Sequence, residues 1–309
     1  MMTTNKLGLY LHVPFCARKC RYCDFLSFGC SDSKVLSEYS QALIREIRIR
    51  SKDWCFRDVD TVYIGGGTPS LMSAWDMGKI MDALRENFNI VKDAEITIEG
   101  NPATLSDEKM ERYLRKGINR LSLGVQSFEN DVLQYLGRIH NKNDAFTSFQ
   151  RAKKAGFSNI NIMFAIPGQS MKMWKDTVRQ CIFLKPAHIS LYSLQIEEGT
   201  EFYELYKDGK MEAVPEIQDR EMYHQALAMM KEAGYKHYEI SNAALPGFES
   251  RHNLKYWSYA EYLGLGLGAS SFAGGSRFKN TSRMHEYLTA IREHVPPVDQ
   301  ESIENYSHR

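Results

Sequence analysis

The chain has 309 residues and a mass of 35.6 kDa, enough to bury a large core and to hold one large domain plus a smaller unit. Its 39 Lys and Arg against 38 Asp and Glu leave a net charge of +1, which excludes the electrostatic footprint of a nucleic-acid binder or of a protein held on an anionic membrane. Mean hydropathy is −0.43, no apolar run approaches the roughly 18 to 20 residues that span a bilayer, and Met1-Met-Thr-Thr-Asn-Lys6 leads into a strand without a signal-peptide hydrophobic region; a cytoplasmic protein is expected.

The first element is a strand, Leu7-Gly-Leu-Tyr-Leu-His-Val13, and directly behind it comes Cys16-Ala-Arg-Lys-Cys20-Arg-Tyr-Cys23. Thiols at i, i+4 and i+7 in a short loop past a strand end can curl around one inorganic centre. A cubane iron–sulfur cluster takes four ligands, so three leave one iron open to a small molecule, as catalytic metal sites keep a position open. Two other readings stand at this point: a structural zinc site completed by His12, although the spacing is not that of a zinc ribbon, and cysteines that merely pack in a core. Six cysteines in a chain of this length do not make a disulfide framework. Cys181 lies in an apolar helical stretch and reads as a small hydrophobe, and no role is assigned to Cys30 or Cys55.

Residues 35–50 carry Leu36, Tyr39, Leu43 and Ile47 at helical spacing, with Glu46 four before Arg50. A strand over 59–64 ends in Gly65-Gly-Gly-Thr-Pro-Ser70, and 75–88 is helical. A strand over 94–99 precedes a helix over 107–116 for which Ser106 is the expected N-cap. Strands over 120–126, 159–165 and 188–195 then alternate with helices over 130–137, 142–155 and 173–184. Six strands, each but the last followed by helix, predict an α/β fold with a parallel sheet and right-handed crossovers. Periodicity leaves two closures open, a doubly wound open sheet and a partial barrel with helices outside. Residues 1–196 form this core, and 197–309 read as a smaller α+β extension. In the extension a helix is expected over 216–233, a strand over 235–240, tight turns or close backbone approach from Gly264 to Gly275, a helix over 284–293 and a polar tail after Val295-Pro-Pro-Val298.

The run Tyr10-Leu-His12-Val-Pro14-Phe15-Cys16-x3-Cys20-x-Tyr22-Cys23-Asp24-Phe25 resembles the cluster loop of radical S-adenosylmethionine (SAM) enzymes. The resemblance is to the branch that holds the oxygen-independent coproporphyrinogen III oxidases and the HemW-type haem chaperones. It implies a 4Fe–4S cluster on Cys16, Cys20 and Cys23, SAM chelating the open iron through its amino and carboxylate groups, and a three-quarter (βα)6 barrel open on one side to admit substrate. It also implies a final winged-helix-like domain, which is missing here, so the chain looks truncated.

The strand ends carry residues suited to such a ligand, since the C-terminal ends of parallel strands form the site of an α/β barrel. Gly65-Gly-Gly-Thr68 lets backbone approach an amino-acid moiety closely. Glu99, Gln126 and Asn161 offer acceptors for ribose hydroxyls or an ammonium, and Arg138, on the next helix after Gln126, can pair with a carboxylate. By resemblance, SAM contacts fall on Tyr10, Tyr22, Gly66, Gly67, Thr68, Glu99, Gln126, Arg138 and a main-chain position at Gln195. Asn161 stands where the family carries Asp, and Ala165 where it carries Gly; Asn keeps an acceptor but loses a charge, which implies weaker SAM affinity with an unchanged pose.

Further on, His252-Asn253-Leu-Lys-Tyr256-Trp257 resembles the HNxxYW motif associated with haem binding in HemW-type proteins. A His can ligate haem iron, and Tyr256 and Trp257 offer flat apolar surface to a porphyrin; read without the resemblance, the stretch is a polar turn before a packed aromatic pair. One position separates the two branches: the oxidases carry a fourth cysteine two residues after the third, and here that residue is Phe25. The expected function is therefore binding of haem and its delivery to haem-dependent client proteins at the membrane, with no nucleic acid involved. The alternative is decarboxylation of coproporphyrinogen III to protoporphyrinogen IX. Other chemistries, a radical SAM methyltransferase or a zinc-stabilised small-molecule binder, stand behind these two. The client, the turnover of SAM and the oligomeric state are not specified by the residues.

Overall fold

Alternation of apolar and polar residues along the strands decides the architecture. In the computed structural model, which describes residues 6–157, 159–166 and 169–305 and only the backbone of 159–166, 300–302, 304 and 305, the strands are β1 (Lys6–Val13), β2 (Phe15–Cys16), β3 (Phe28–Gly29), β4 (Asp58–Gly66), β5 (Asn89–Gly100), β6 (Arg120–Gln126), β7 (Asn159–Ile166), β8 (His188–Ser193), β9 (Lys236–Glu239), β10 (Asn242–Ala244), β11 (Tyr262–Leu265), β12 (Ser270–Ala273), β13 (Ser276–Asn280) and β14 (Val298–Asn305). The helices are α1 (Ser33–Trp54), α2 (Ala74–Asn87), α3 (Asp107–Arg115), α4 (Asn130–Tyr135), α5 (Lys142–Ala155), α6 (Met171–Leu184), α7 (Glu201–Lys207), α8 (Glu216–Glu232), α9 (Arg251–Trp257) and α10 (Met284–Arg292).

Strands β1, β4, β5, β6, β7 and β8 are neighbours in that order and all parallel. A doubly wound sheet reverses its strand order at a switch point; this one never does, so right-handed crossovers put every intervening helix on one face. The apolar positions turn to that face: Leu7, Leu9, Leu11 and Val13 of β1, Ile96 and Ile98 of β5, and Leu121, Leu123 and Val125 of β6 share one core with Leu43 and Ile47 of α1, Met77 and Ile80 of α2 and Trp174 of α6. The alternate positions, Thr61 and Tyr63, Glu95, Thr97 and Glu99, Arg120 and Ser122, His188 and Ser190, line the opposite face. The result is the partial (βα)6 barrel expected from the resemblance, and its lumen wall is polar where an ordinary barrel is packed with branched side chains.

The described residues after 196 add to both edges of this sheet: β10 and β9 continue from β8, and β11 to β14 continue from β1. Several local expectations change. Residues 298–305 are not a loose tail but an edge strand, because backbone pairing to β13 needs no apolar pattern. Two short helices, α7 and α9, were not expected; seven residues span too few turns to show a period. Arg138 lies past the end of α4, in the loop to α5, its N–H donating to the Leu133 carbonyl at 2.9 Å. Ser106 caps α3 as expected, accepting from the Lys109 N–H at 3.2 Å. Among the described residues no helix is long and apolar enough to cross a membrane.

Candidate functional site

The cysteine loop leaves β1 and is tied down at its base. β2 pairs with β3 in parallel, setting Phe15 against Phe28 and Cys16 against Gly29, and the Cys30 N–H closes on the Cys16 carbonyl at 2.8 Å. Phe15 is buried edge-on against Tyr39, centroids 5.2 Å apart, so Cys16 is anchored from behind by an aromatic plug. The glycine loop after β4 docks on the same segment: Gly67 N–H donates to the Val13 carbonyl at 2.8 Å and Thr68 N–H to the Phe15 carbonyl at 2.7 Å. A Cβ on Gly67 would stand 2.6 Å from the Phe15 carbonyl oxygen, so only glycine allows this approach. Thr68 Oγ1 then points at Cys16 Sγ, 3.5 Å away.

The far side of the loop is held by the segment after α4. Arg138 donates through Nη1 to Cys20 Sγ at 3.3 Å and through Nη2 to the Gly124 carbonyl at 2.7 Å. Burial opposes its charge, but Tyr22 and the Cys20 thiol beside it outweigh that and raise its pKa. Arg18 reaches the carbonyls of Gly137 and Arg138. Arg21 is clasped between the Tyr135 and Phe202 rings and pairs with Glu201 at 2.9 Å, which gives the unexpected helix α7 its purpose. Tyr22 packs on Phe202.

Burial pushes the Cys23 thiol up to about 11, with Cys20 and Cys16 adding to the rise. Thiols that disfavour one another's charge gain most from a cationic core, and binding one releases protons. Among the described residues no three His, Cys, Asp or Glu side chains close on a single metal ion. A cubane instead offers each cysteine a different iron, so its ligands stand wider apart than those of one ion. Three cysteines facing a buried guanidinium and a glycine cradle fit such a cluster. His12 does not complete a zinc site: its ring nitrogens are engaged by Tyr10 Oη at 2.9 Å and the Leu26 carbonyl at 2.8 Å.

From the lumen wall Glu99 meets the glycine loop and Gln126 lies beside Gly124. Glu99 accepts from Tyr63 Oη at 2.7 Å, and burial lifts its pKa from 4.5 to about 6 against the opposing hydrogen bonds of Tyr63 and the Gly66 N–H. A folded value above the ordinary one means that the carboxyl's contribution to stability is fully present below the ordinary value and is lost as the pH rises through the folded one. The rise corresponds to about 1 to 2 kcal/mol, the lower figure allowing for solvent at a half-buried group. Glu99→Gln is therefore expected to raise the melting temperature at about pH 7.5 and to bring no gain near pH 4; equal melting shifts at both pH values would contradict it. Gln126 closes β6 with φ of 69°, a left-handed conformation that costs a non-glycine residue about 1 to 2 kcal/mol. Its amide nitrogen lies beside Gly124, as does Arg138 Nη2. Gln195 is exposed in the loop after β8, on the same rim. Asn161 does not close its strand as expected: it is the third residue of β7, its backbone between Ser122 and His188, the first residue of β8, because β7 runs on to Ile166; its side chain, like that of Ala165, lies outside the described residues.

The HNxxYW stretch is helix α9, not a turn, and it packs on the lumen face. A Cβ on Gly8 of β1 would stand 2.9 Å from Lys255 Cδ and 3.3 Å from His252 Cε1, so the glycine admits the helix. Glu95 accepts from the N–H groups of Arg251 and His252, both at 3.1 Å, Ser250 caps Asn253 N–H at 3.3 Å, and Lys255 pairs with Asp60 at 2.7 Å. His252 is fully buried, its ring stacked on Tyr63 at 5.3 Å and its nitrogens bonded to Thr61 Oγ1 at 2.9 Å and Tyr256 Oη at 3.0 Å. Burial, with Lys255 nearby, lowers its pKa to about 3. Tyr10 stacks on Tyr63 at 6.3 Å. Rings Tyr10, Tyr63, His252 and Tyr256 thus run from the cysteine loop to α9. Asp60, Thr61, Tyr63 and Glu95 were not singled out from the sequence; the polar half of the strand alternation was the signal that could have found them.

The Radical SAM superfamily matches residues 10–181. The chain is 40% identical over 283 residues to the heme chaperone HemW of Lactococcus lactis, covering 91% of this chain and 73% of that protein. It is 40% identical over 287 residues to the heme chaperone HemW of Bacillus subtilis, covering 92% and 76%, and 36% identical over 295 residues to that of Escherichia coli, covering 92% and 76%. Among solved structures it resembles the coproporphyrinogen III oxidase (HemN) of Escherichia coli with a TM-score of 0.83 at 24% identity, covering 94% of this chain and 70% of that one, a likeness of fold.

Proposed function

From the membership of this chain in the radical SAM superfamily and, within it, in the family of HemW heme chaperones, we propose that it binds haem and passes it to haem-dependent client proteins, some of them at a membrane. The observation that supports the proposal, beside family membership, is that Tyr63 accepts the ring of His252 of α9 on its face and donates to Glu99 at the end of β5, so that the HNxxYW helix and one residue proposed for SAM meet on the same side chain.

In this reading Cys16, Cys20 and Cys23 hold a 4Fe–4S cluster. Gly66, Gly67 and Thr68 receive the methionyl part of SAM along the glycine loop, Arg138 meets its carboxylate, and Tyr10, Tyr22, Glu99, Gln126, Asn161 and the main chain at Gln195 surround the rest. When bound, the cluster and SAM supply one-electron cleavage of a sulfonium. What the chain contributes is placement. Arg138 keeps a positive charge beside the thiolates, Glu99 stays ionised at neutral pH at a cost in stability, and the aromatic row walls the lumen against water. A carboxylate retained where it destabilises points to ligand binding, so Glu99→Gln, the stabilising variant, is expected to weaken SAM binding by calorimetry. Asn253, Tyr256 and Trp257 form the haem-facing side of α9, with His252 beneath them.

The test is titration of the anaerobically reconstituted protein with haem, followed by mixing with an apo-haemoprotein. A Soret shift on titration and its transfer to the acceptor are expected; no uptake of haem sinks the proposal. Incubation with coproporphyrinogen III, SAM and reductant is expected to leave the substrate intact, and accumulation of protoporphyrinogen would favour the oxidase reading that Phe25 disfavours.

A further inference from the structure

Two side chains of the motif carry atoms that bind haem iron well, and the fold treats them oppositely. His252 is 0% exposed. Tyr63 covers one face of its ring, Gly8 closes on Cε1, and both nitrogens are engaged. Its backbone is fixed by Glu95 in the first turn of α9. To meet a metal arriving from solvent, the imidazole would have to give up Thr61 and Tyr256 and turn out of a helix pinned at its start. Tyr256 sits one turn further along; its ring leaves the residue 41% exposed while its oxygen turns in towards His252, where burial raises the pKa of the phenol, and Trp257, the next residue, is 55% exposed. Its ring stands edge-on to Tyr262 at 4.7 Å, and its oxygen is 3.0 Å from His252 Nε2.

Resting on the haem-binding reading above, we infer that the protein ligand to haem iron is Tyr256 Oη, and that His252 is a positioning residue that holds this oxygen. Tyrosinate is an established axial ligand of ferric haem. On binding, the phenolic O–H bond breaks, an iron(III)–oxygen bond forms and the proton is released to the medium, with no change in oxidation state. The two hydrogen bonds of His252 admit the tautomer this needs, in which Nδ1 accepts from the Thr61 hydroxyl and Nε2–H donates to the phenolate oxygen. An imidazole whose other nitrogen is fixed by a hydroxyl is the outer-shell arrangement that orients metal ligands. Trp257 then offers apolar surface to the porphyrin.

The experiment is titration of the cluster-loaded protein, and of its Tyr256→Phe and His252→Gln variants, with ferric protoporphyrin IX and separately with metal-free protoporphyrin IX. Absorption and resonance Raman spectra are read for a phenolate-to-iron charge-transfer signature. The native complex is expected to show it. Tyr256→Phe is expected to lose it while binding the metal-free porphyrin as the native protein does. His252→Gln is expected to keep it with ferric affinity reduced by about 10- to 100-fold, as for loss of an outer-shell partner. The metal-free titration and the cluster absorbance report that each variant is folded. A native ferric spectrum in Tyr256→Phe, or loss of the protein ligand in His252→Gln alone, overturns the assignment and leaves haem binding standing. A native protein that takes up neither porphyrin removes the haem-binding reading and the assignment with it.

Discussion

Replacing any one of Cys16, Cys20 or Cys23 by Ser should leave a colourless protein after anaerobic reconstitution, with iron content near that of a protein lacking a cluster. Three thiolates are already one short of a full ligand set, and two cannot hold a cubane against its own dissociation. The three are not equivalent in their effect on the fold. Cys16 belongs to the small β2–β3 pair, so its main chain survives the change and only the cluster is lost. Cys20 also receives a hydrogen bond from the buried Arg138, and an unsatisfied charged donor costs about 1 to 3 kcal/mol or more. Cys20→Ser, whose shorter side chain does not reach the guanidinium and carries no thiolate charge for it, is therefore expected to lower the melting temperature as well. Cys30→Ser is the control: Cys30 bonds to the loop through its N–H alone and should retain full iron. Full iron in Cys20→Ser, or its loss in Cys30→Ser, would assign the ligands differently.

The largest loss of stability is expected at Glu46. Its place four residues before Arg50 suggests a surface helix pair, but the carboxylate is 0% exposed. It accepts from Tyr287 Oη, Gly266 N–H and Asn280 Nδ2, each at 2.7 Å. Tyr39, two turns earlier on the same face of α1, donates to the His12 carbonyl at 2.8 Å and accepts from Leu267 N–H at 3.0 Å. These bonds tie α1 to α10, β13 and the turn after β11, and through His12 to the strand that leads into the cysteine loop. Glu46→Ala would leave three buried donors without an acceptor and Arg50 without the nearby charge. Breaking a buried charged network in this way costs about 3 to 5 kcal/mol. Urea denaturation should show the midpoint falling with the slope unchanged, and a loss below about 1 kcal/mol would show that water replaces the carboxylate. Burial raises the pKa of Glu46, so its contribution is greatest below the ordinary carboxylate range and declines as the pH rises through the folded value.

Much of the site was legible along the chain because its signals are local. The cysteine spacing, the glycine run behind a strand and the polar residues Glu99 and Gln126 at the ends of two successive strands each lie within a few residues. The Ser106 cap and the period-2 alternation are local too, since they depend on backbone geometry that neighbours set. The glycine at position 67 could be expected to sit in a tight approach, but only the folded chain shows that the partner is the Phe15 carbonyl.

What escaped the sequence reading has its cause far away along the chain. Helix α9 reads as a turn because seven residues lack a period, and what holds it is Glu95, over a hundred and fifty positions earlier. β14 reads as a polar tail because an edge strand is specified by its neighbour's unpaired backbone. His252 reads as an exposed ligand because nothing in HNxxYW says which way its face turns; Gly8, Thr61 and Tyr63 bury it.

By itself the sequence determined the repeating strand–helix rhythm, the thiol trio and the family, for these follow from short-range patterns of residue type. Periodicity left the closure of the sheet open and the resemblance implied the barrel that forms; tertiary structure alone decided that α9 enters the lumen, and that its histidine is buried while the ring of its tyrosine is partly exposed. Those outcomes depend on which distant side chains compete for the same buried space and the same hydrogen-bond partners.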